Sequence, residues 1–198
     1  MFTVSSFGRE RRWRHIRCMR LIVFIAVFVL SSASAAAQSK AKAPILDAVL
    51  YQHLVSIERL TPIELPDLSD RVVVISFFAS WCPPCRPEFE TLKRLDETFD
   101  GSGLSIIAIN IFEDFFAKDA SVRLGRFLER MQPPFAVVRA DQETPRIFGG
   151  IDRIPTVFVY DRGSRPAFTF IHQPGAEKMH VGFDELKAVV SRLLHPAE

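Results

Sequence analysis

The stretch that decides the reading runs Arg71-Val72-Val73-Val74-Ile75-Ser76-Phe77-Phe78-Ala79-Ser80-Trp81-Cys82-Pro83-Pro84-Cys85-Arg86-Pro87-Glu88-Phe89. Its first half is a continuous apolar run rich in β-branched residues, which predicts a strand buried on both faces, as in a sheet covered by helices. Its second half opens a helix. Phe89, Leu92, Leu95 and Phe99 recur at helical spacing from about Pro83 to Phe99, and Gly101 stops the run. Leu104 to Ile111 reads as a second buried strand. A parallel strand–helix–strand unit with a right-handed crossover is therefore expected.

Cys82 and Cys85 fall at the turn between that strand and that helix. Unpaired backbone N–H groups and the positive end of the helix dipole stabilise a thiolate there, and the thiolate is the nucleophile of disulfide exchange. Cys85 lies a turn further in and is the expected resolving thiol. Pro83 suits the first turn, because its φ is pre-set and the N–H it lacks would have been unpaired anyway. A disulfide across two residues closes almost no loop and adds little stability, so reactivity explains the pair better than structure. A zinc site needs about four ligands. Beyond the leader the chain offers two cysteines and the scattered His53, His172, His180 and His195. No metal and no cofactor other than a Cys82–Cys85 disulfide is expected.

The rest of the chain supplies a mixed sheet. Residues 47–60 fit a helix or a strand, with Leu50, Leu54 and Ile57 at helical spacing. Residues 63–68 read as an edge segment, since Pro66 would break a central ladder. Helix is expected over 119–131, a short strand over 135–139 and a helical turn over 143–148. Strands over 155–160 and 167–172 are joined by the Asp161-Arg162-Gly163-Ser164 turn. A closing helix over 183–194 has Phe183, Leu186, Val190 and Leu193 on one face. The order β-α-β-α-β, then β-β-α, defines an α/β fold with a mixed central sheet flanked by helices.

The amino-terminal region reads differently. Arg9, Arg11, Arg12, Arg14, Arg17 and Arg20 precede the apolar run Leu21–Leu30, and the small residues 31–37 end in Ala35-Ala36-Ala37. That order is a basic region, a short apolar core and an A-x-A cleavage site, so residues 1–37 are expected to be a signal peptide. The alternative is an uncleaved anchor in which residues 21–37 contact the membrane. Residues 38–62 then form a linker and N-terminal extension, and residues 63–198 the main domain. The whole chain has 25 basic and 23 acidic side chains. Without the six Arg and one Glu of the leader it has 19 and 22, a net charge of −3. The basic balance thus belongs to the leader, which argues against a nucleic-acid partner.

Val72 to Phe89, together with Ile154-Pro155-Thr156-Val157-Phe158-Val159-Tyr160-Asp161 downstream, resembles the TlpA/ResA branch of the thioredoxin superfamily over about residues 63–195. The resemblance implies a three-layer thioredoxin-like fold with an added N-terminal segment and a central insertion. It implies an exported, periplasmic thiol:disulfide oxidoreductase, sometimes membrane-tethered. Its partners would be protein thiols and disulfides and a membrane electron donor. It makes Cys82 the nucleophile, Cys85 the resolving thiol and Pro155 cis. Ile154 and Pro155, with Trp81, Pro83 and Pro84, would shape a groove for an extended partner chain. Cytosolic thioredoxins hold a buried Asp six residues before the first cysteine, where this chain has Ser76. The TlpA/ResA branch instead holds a Glu three residues after the second cysteine, here Glu88, which could relay the Cys85 proton. Placed near solvent at a helix start, Glu88 is expected to tune the thiols and to matter little for stability. Reductant, oxidase or isomerase, and Cu(I) metallochaperone are the competing functions. Ile154-Pro155-Thr156 departs from the Gly-Ala-Pro-Glu-like run of the branch serving the heme-lyase pathway, which weakens the case for cytochrome c maturation. Asp152-Arg153 stand where many relatives keep two glycines, and the sequence offers no reason for it.

Overall fold

A computed structural model describes residues 42–116 and 118–196; the signal-peptide or anchor segment, residues 1–37, lies outside the described residues. Helix α1 spans Ala48–Ser56, β1 Val72–Phe78, α2 Cys85–Thr98 and β2 Leu104–Asn110. A 3-10 turn at Glu113–Phe116 leads to α3, Ala120–Met131. Then come β3 Ala136–Arg139, α4 Thr144–Ile147, β4 Thr156–Tyr160, β5 Pro166–Ile171 and α5 Phe183–Leu194.

The five strands form one sheet in the order β3-β2-β1-β4-β5. β1 pairs parallel with β2, and β2 with β3; β4 runs antiparallel to both β1 and β5. Every residue of β1, β2 and β4 is buried, which is why those segments read as apolar runs without alternation. Successive side chains of β1 serve opposite faces. Phe78 packs on Phe89 of α2 and Phe127 of α3, at ring-centroid distances of 4.6 and 5.4 Å. Phe77 packs on Phe148, just after α4, at 5.1 Å. The α2 helix also packs against α5 and β2. On the Phe148 face, α1 is joined to α4 by a hydrogen bond between His53 Nε2 and Thr144 Oγ1 (3.0 Å). The sheet is therefore the middle of three layers.

Residues 47–60, ambiguous by periodicity, resolve into helix because Asp47 caps it: its Oδ1 accepts from the Leu50 N–H at 2.9 Å. Leu50 and Leu54 then enter the core. The edge segment expected over 63–68 is not a strand. The chain instead meets β3 earlier, through an antiparallel bridge between Arg59 and Val138. Leu60 N–H donates to Val137 O and Arg139 N–H to Glu58 O, both at 2.8 Å. The physical reason is that Pro62 and Pro66 lack N–H donors, so the stretch with a usable ladder ends at Thr61. This bridge covers an edge that would otherwise be open. The closing helix turns its core side a little from expectation: Leu186, Val189, Val190 and Leu194 are buried, while Phe183 and Leu193 are half-buried.

Gly149 locks the N-terminal extension onto the domain. Its φ is +80°, and a Cβ there would lie 2.1 Å from the Lys42 carbonyl oxygen. Both the left-handed backbone and the close approach require glycine. Gly149→Ala is expected to lower unfolding free energy by about 2–3 kcal/mol. A urea titration checks this, and an unchanged midpoint would contradict the close packing.

Candidate active site

The strand-to-helix turn is tightly wound. Cys82 N–H donates to Ala79 O (3.1 Å), Cys85 N–H to Cys82 O (3.2 Å) and Arg86 N–H to Pro83 O (3.4 Å). The α-helix proper begins at Cys85, two residues later than the sequence suggests. Pro83 and Pro84 occupy the turn ahead of it, with Pro84 at φ −72° and ψ −13° as N-cap. Neither proline could donate to a preceding carbonyl, so the prolines sit where no donor is needed. Cys82 and Cys85 are joined as a disulfide with a Cα–Cα distance of 5.4 Å.

A groove of about 600 Å³ opens on Cys82. Trp81, Pro83, Pro84 and Ile154 line it together with Cys82, while Cys85 does not. The structure thus brings together on one surface residues that lie some 70 positions apart in sequence. The Ile154–Pro155 peptide is cis. The Pro155 carbonyl accepts from His172 N–H (3.0 Å). The Ile154 N–H and C=O make no hydrogen bond to any described residue, which leaves both for another chain. Asp152 and Arg153 also line the groove. Arg153 donates to Gln173 Oε1 (2.6 Å), and its carbonyl accepts from Thr156 Oγ1 (2.9 Å). The Arg153 side chain therefore ties the cis-proline loop to the segment after β5, a role a glycine has no side chain to fill.

Glu88 corrects the sequence reading. It is fully buried, not close to solvent. The face of α2 that carries Cys85, Glu88, Phe89 and Leu92 turns toward the sheet, and the i, i+3 relation places Glu88 one turn beyond Cys85 on that face. There its Oε1 accepts from Ser76 Oγ in the middle of β1 (2.6 Å). The two positions that separate the branches of the superfamily are in direct contact. Oε2 has no hydrogen-bond partner; the Val181 amide lends a weak favourable interaction without meeting hydrogen-bond geometry. Burial raises the carboxyl to about 8, against the opposing pull of Ser76 and Val181.

Sequence reasoning passed over a second buried carboxylate. Glu113 accepts from Ser80 N–H (2.9 Å), Asn110 Nδ2 (2.8 Å) and the Ser80 hydroxyl. Arg123 of α3 closes the cluster with an ion pair at 3.2 Å. Glu113 thereby clamps the residue just before Trp81. Trp81 Nε1 in turn donates to Phe112 O (2.9 Å), and its ring lies 5.7 and 5.3 Å from those of Phe115 and Phe116. The 3-10 turn thus adds an aromatic wall to the groove. The signal available in the sequence was the run Glu113-Asp114-Phe115-Phe116 directly after a buried strand with a polar end, Asn110. Among the described residues, no group of three or more His, Cys, Asp and Glu side chains is placed to hold a metal ion, and no helix is long and apolar enough to cross a membrane.

Solved structures share this architecture. A thiol-disulfide isomerase from Corynebacterium glutamicum superposes with a TM-score of 0.61 at 18% identity, over 79% of this chain and 99% of its own. Fold and turn together place the protein in the thioredoxin-like class. Within that class the chain belongs to the Redoxin family, which it matches over residues 27–177. It is similar to the thiol-disulfide oxidoreductase ResA of Geobacillus thermodenitrificans, 26% identical over 101 residues, 51% of this chain and 55% of that protein. It is similar also to the thiol:disulfide interchange protein CycY of Rhizobium leguminosarum bv. viciae, 38% identical over 82 residues, 39% of each chain. The chain spans about half the length of these ResA relatives.

Proposed function

We propose that this chain is an exported thiol:disulfide oxidoreductase that reduces protein disulfides through the Cys82–Cys85 dithiol and is recharged by a membrane electron donor. The observation that carries this reading is the opening of Cys82, but not Cys85, onto the groove that Ile154 lines beside the cis Pro155 bond. The likeness to the thiol-disulfide oxidoreductase ResA and the thiol:disulfide interchange protein CycY supports the thiol–disulfide exchange in this reading. Export rests on the signal-like order of residues 1–37.

In the proposed cycle the Cys82 thiolate attacks one sulfur of a substrate disulfide. The Cys82–substrate bond forms, and the other substrate sulfur leaves as a thiolate and takes a proton from solvent. The Cys85 thiol then loses its proton and attacks Cys82 Sγ. That step closes the Cys82–Cys85 disulfide and releases the second substrate thiolate. Two electrons have passed to the substrate, and the protein is left oxidised. Glu88, in the minor ionised form that a carboxyl raised to about 8 keeps at neutral pH, is the proposed acceptor of the Cys85 proton. A carboxyl raised to about 8 lies close to the ordinary thiol value of about 8.5, so the proton can move with little free-energy cost.

A redox titration of the Cys82–Cys85 couple tests the direction of flow. A potential of about −250 mV or below is expected for a reductant, whereas one near about −120 mV would make the protein an oxidant and overturn the proposal.

A further inference from the structure

A second concavity, of about 540 Å³, shares no lining residue with the groove. It lies between the start of α2, which supplies Arg86, and α3 with its preceding loop, which supply Lys118, Arg123, Arg126 and Arg130. The three arginines of α3 stand at i, i+3 and i+7, one stripe of the helix. Asp119 is the lone carboxylate on this wall.

What sets this pocket apart is that several unpaired cations share one concave wall. Arg123 is held by Glu113. Arg86, Lys118, Arg126 and Arg130 make no ion pair with any described residue. Elsewhere Arg59, Arg139, Arg146, Arg153 and Arg162 each lie beside a carboxylate, while Arg71, Arg94, Arg165 and Arg192, which also make no ion pair with a described residue, do not line this pocket. Cations are thus gathered without partners at one concave place, in a chain that is otherwise acidic beyond its leader. Gathering like charges is unfavourable unless something of opposite charge enters. A cleft lined by one sign of charge concentrates counter-ions. The guanidinium fork matches the oxygens of a phosphate or carboxylate.

We infer that this pocket binds a small multivalent oxyanion of the phosphate-monoester or diphosphate kind. Four unpaired cations less Asp119 leave a formal charge of +3. One carboxylate would leave most of that unbalanced, whereas a ligand with two to four negative charges would offset it. The volume is in the range of small-molecule sites, roughly 300–1,000 Å³. The inference is independent of the dithiol chemistry.

The test is calorimetric titration of inorganic pyrophosphate into the full chain and into the double variant Arg126→Gln/Arg130→Gln. Both arginines are exposed and hydrogen-bond no described residue, so the variant is expected to melt like the wild type. Pyrophosphate should bind the wild type and bind the variant at least about tenfold more weakly, the loss of two charge-assisted contacts. Co-sedimentation with phosphatidic acid vesicles separates the sources of the phosphate. Greater retention of the wild type than of the variant, competed by pyrophosphate, makes the ligand a lipid headgroup. Discrimination with pyrophosphate alone makes it a soluble ester. Equal pyrophosphate affinity for the two proteins, or no binding in either assay, would overturn the inference.

Discussion

Cys82→Ser is expected to abolish disulfide exchange, lowering its rate by roughly three orders of magnitude or more, the usual result of removing a nucleophile. Cys85→Ser is expected to leave the first step intact and to accumulate the protein as mixed disulfides. The asymmetry follows from position. Both cysteines are largely buried, but Cys82 precedes the helix and lines the groove with 2% of its surface exposed, while Cys85 is the helix's first residue, is fully enclosed and does not reach the groove. A substrate sulfur can reach the first and not the second. Cys82 is therefore also the expected site of alkylation when the reduced protein meets limiting iodoacetamide at neutral pH. Non-reducing electrophoresis of the two variants and peptide mapping of the labelled wild type give the readout. Preferential labelling of Cys85, or mixed disulfides trapped by Cys82→Ser, would reverse the assignment of nucleophile and resolving thiol.

The second large effect is expected at Glu88, and burial changes its sign and size from what a surface carboxylate would show. The folded protein holds the Glu88 proton up to about 8, whereas the unfolded chain releases it near the ordinary value of 4.5. Between those values the native state binds more protons, so stability falls as pH rises through the window and is flat on either side of it. The contribution is fully present below pH 4.5 and lost above about 8. Glu88→Gln removes the titration while keeping an acceptor for Ser76 Oγ. The oxidised variant is expected to match the wild type within about 1 kcal/mol at pH 4, an ordinary single-site change. It should then become progressively the more stable of the two, by a few kcal/mol at pH 9. Exchange should be slower and the pH profile of thiol alkylation displaced, because the Cys85 proton has lost its neighbouring acceptor. Urea titrations of both oxidised proteins from pH 4 to 9, with iodoacetamide kinetics on the reduced forms, are the measurements. Parallel stability curves would show that Glu88 does not hold its proton in the fold. Coincident alkylation profiles would reduce it to a structural carboxyl.

Under the proposed function, export would rest on residues 1–37 and the choice of partner on the groove. The walls of the groove come from four segments: the turn at 81–84, Phe112 and Phe115, the loop at 152–154, and His172, Pro174 and Met179 after β5. Glu113 joins the first two through Ser80. A change in the 3-10 turn is thereby felt at the residue next to the nucleophilic cysteine.

What the amino-acid order determined by itself was whatever follows from periodicity and local chemistry. The buried strands at Val72–Phe78 and Leu104–Asn110 were legible because a strand covered on both faces needs apolar side chains at every position. The Cys82–Cys85 pair was legible because its spacing and its place between strand and helix restrict its chemistry. The tertiary structure decided wherever a polar residue's surroundings come from distant chain. Residues 63–68 lost the sheet edge to residues 58–61, because pairing depends on which segment reaches β3 with free donors. Glu88 looked like a helix-start carboxylate, since its hydrogen-bond partner is not local in sequence. Its environment is made by Ser76, twelve residues before it, and by Val181, far beyond it in sequence. Glu113 was illegible for a related reason: Asn110 is a near neighbour in sequence, but Ser80 and Arg123, which complete its surroundings, lie 33 and 10 residues away. A burial pattern records which side of an element faces inward. Which groups wait there to accept or donate a hydrogen bond is settled only when the distant segments have packed.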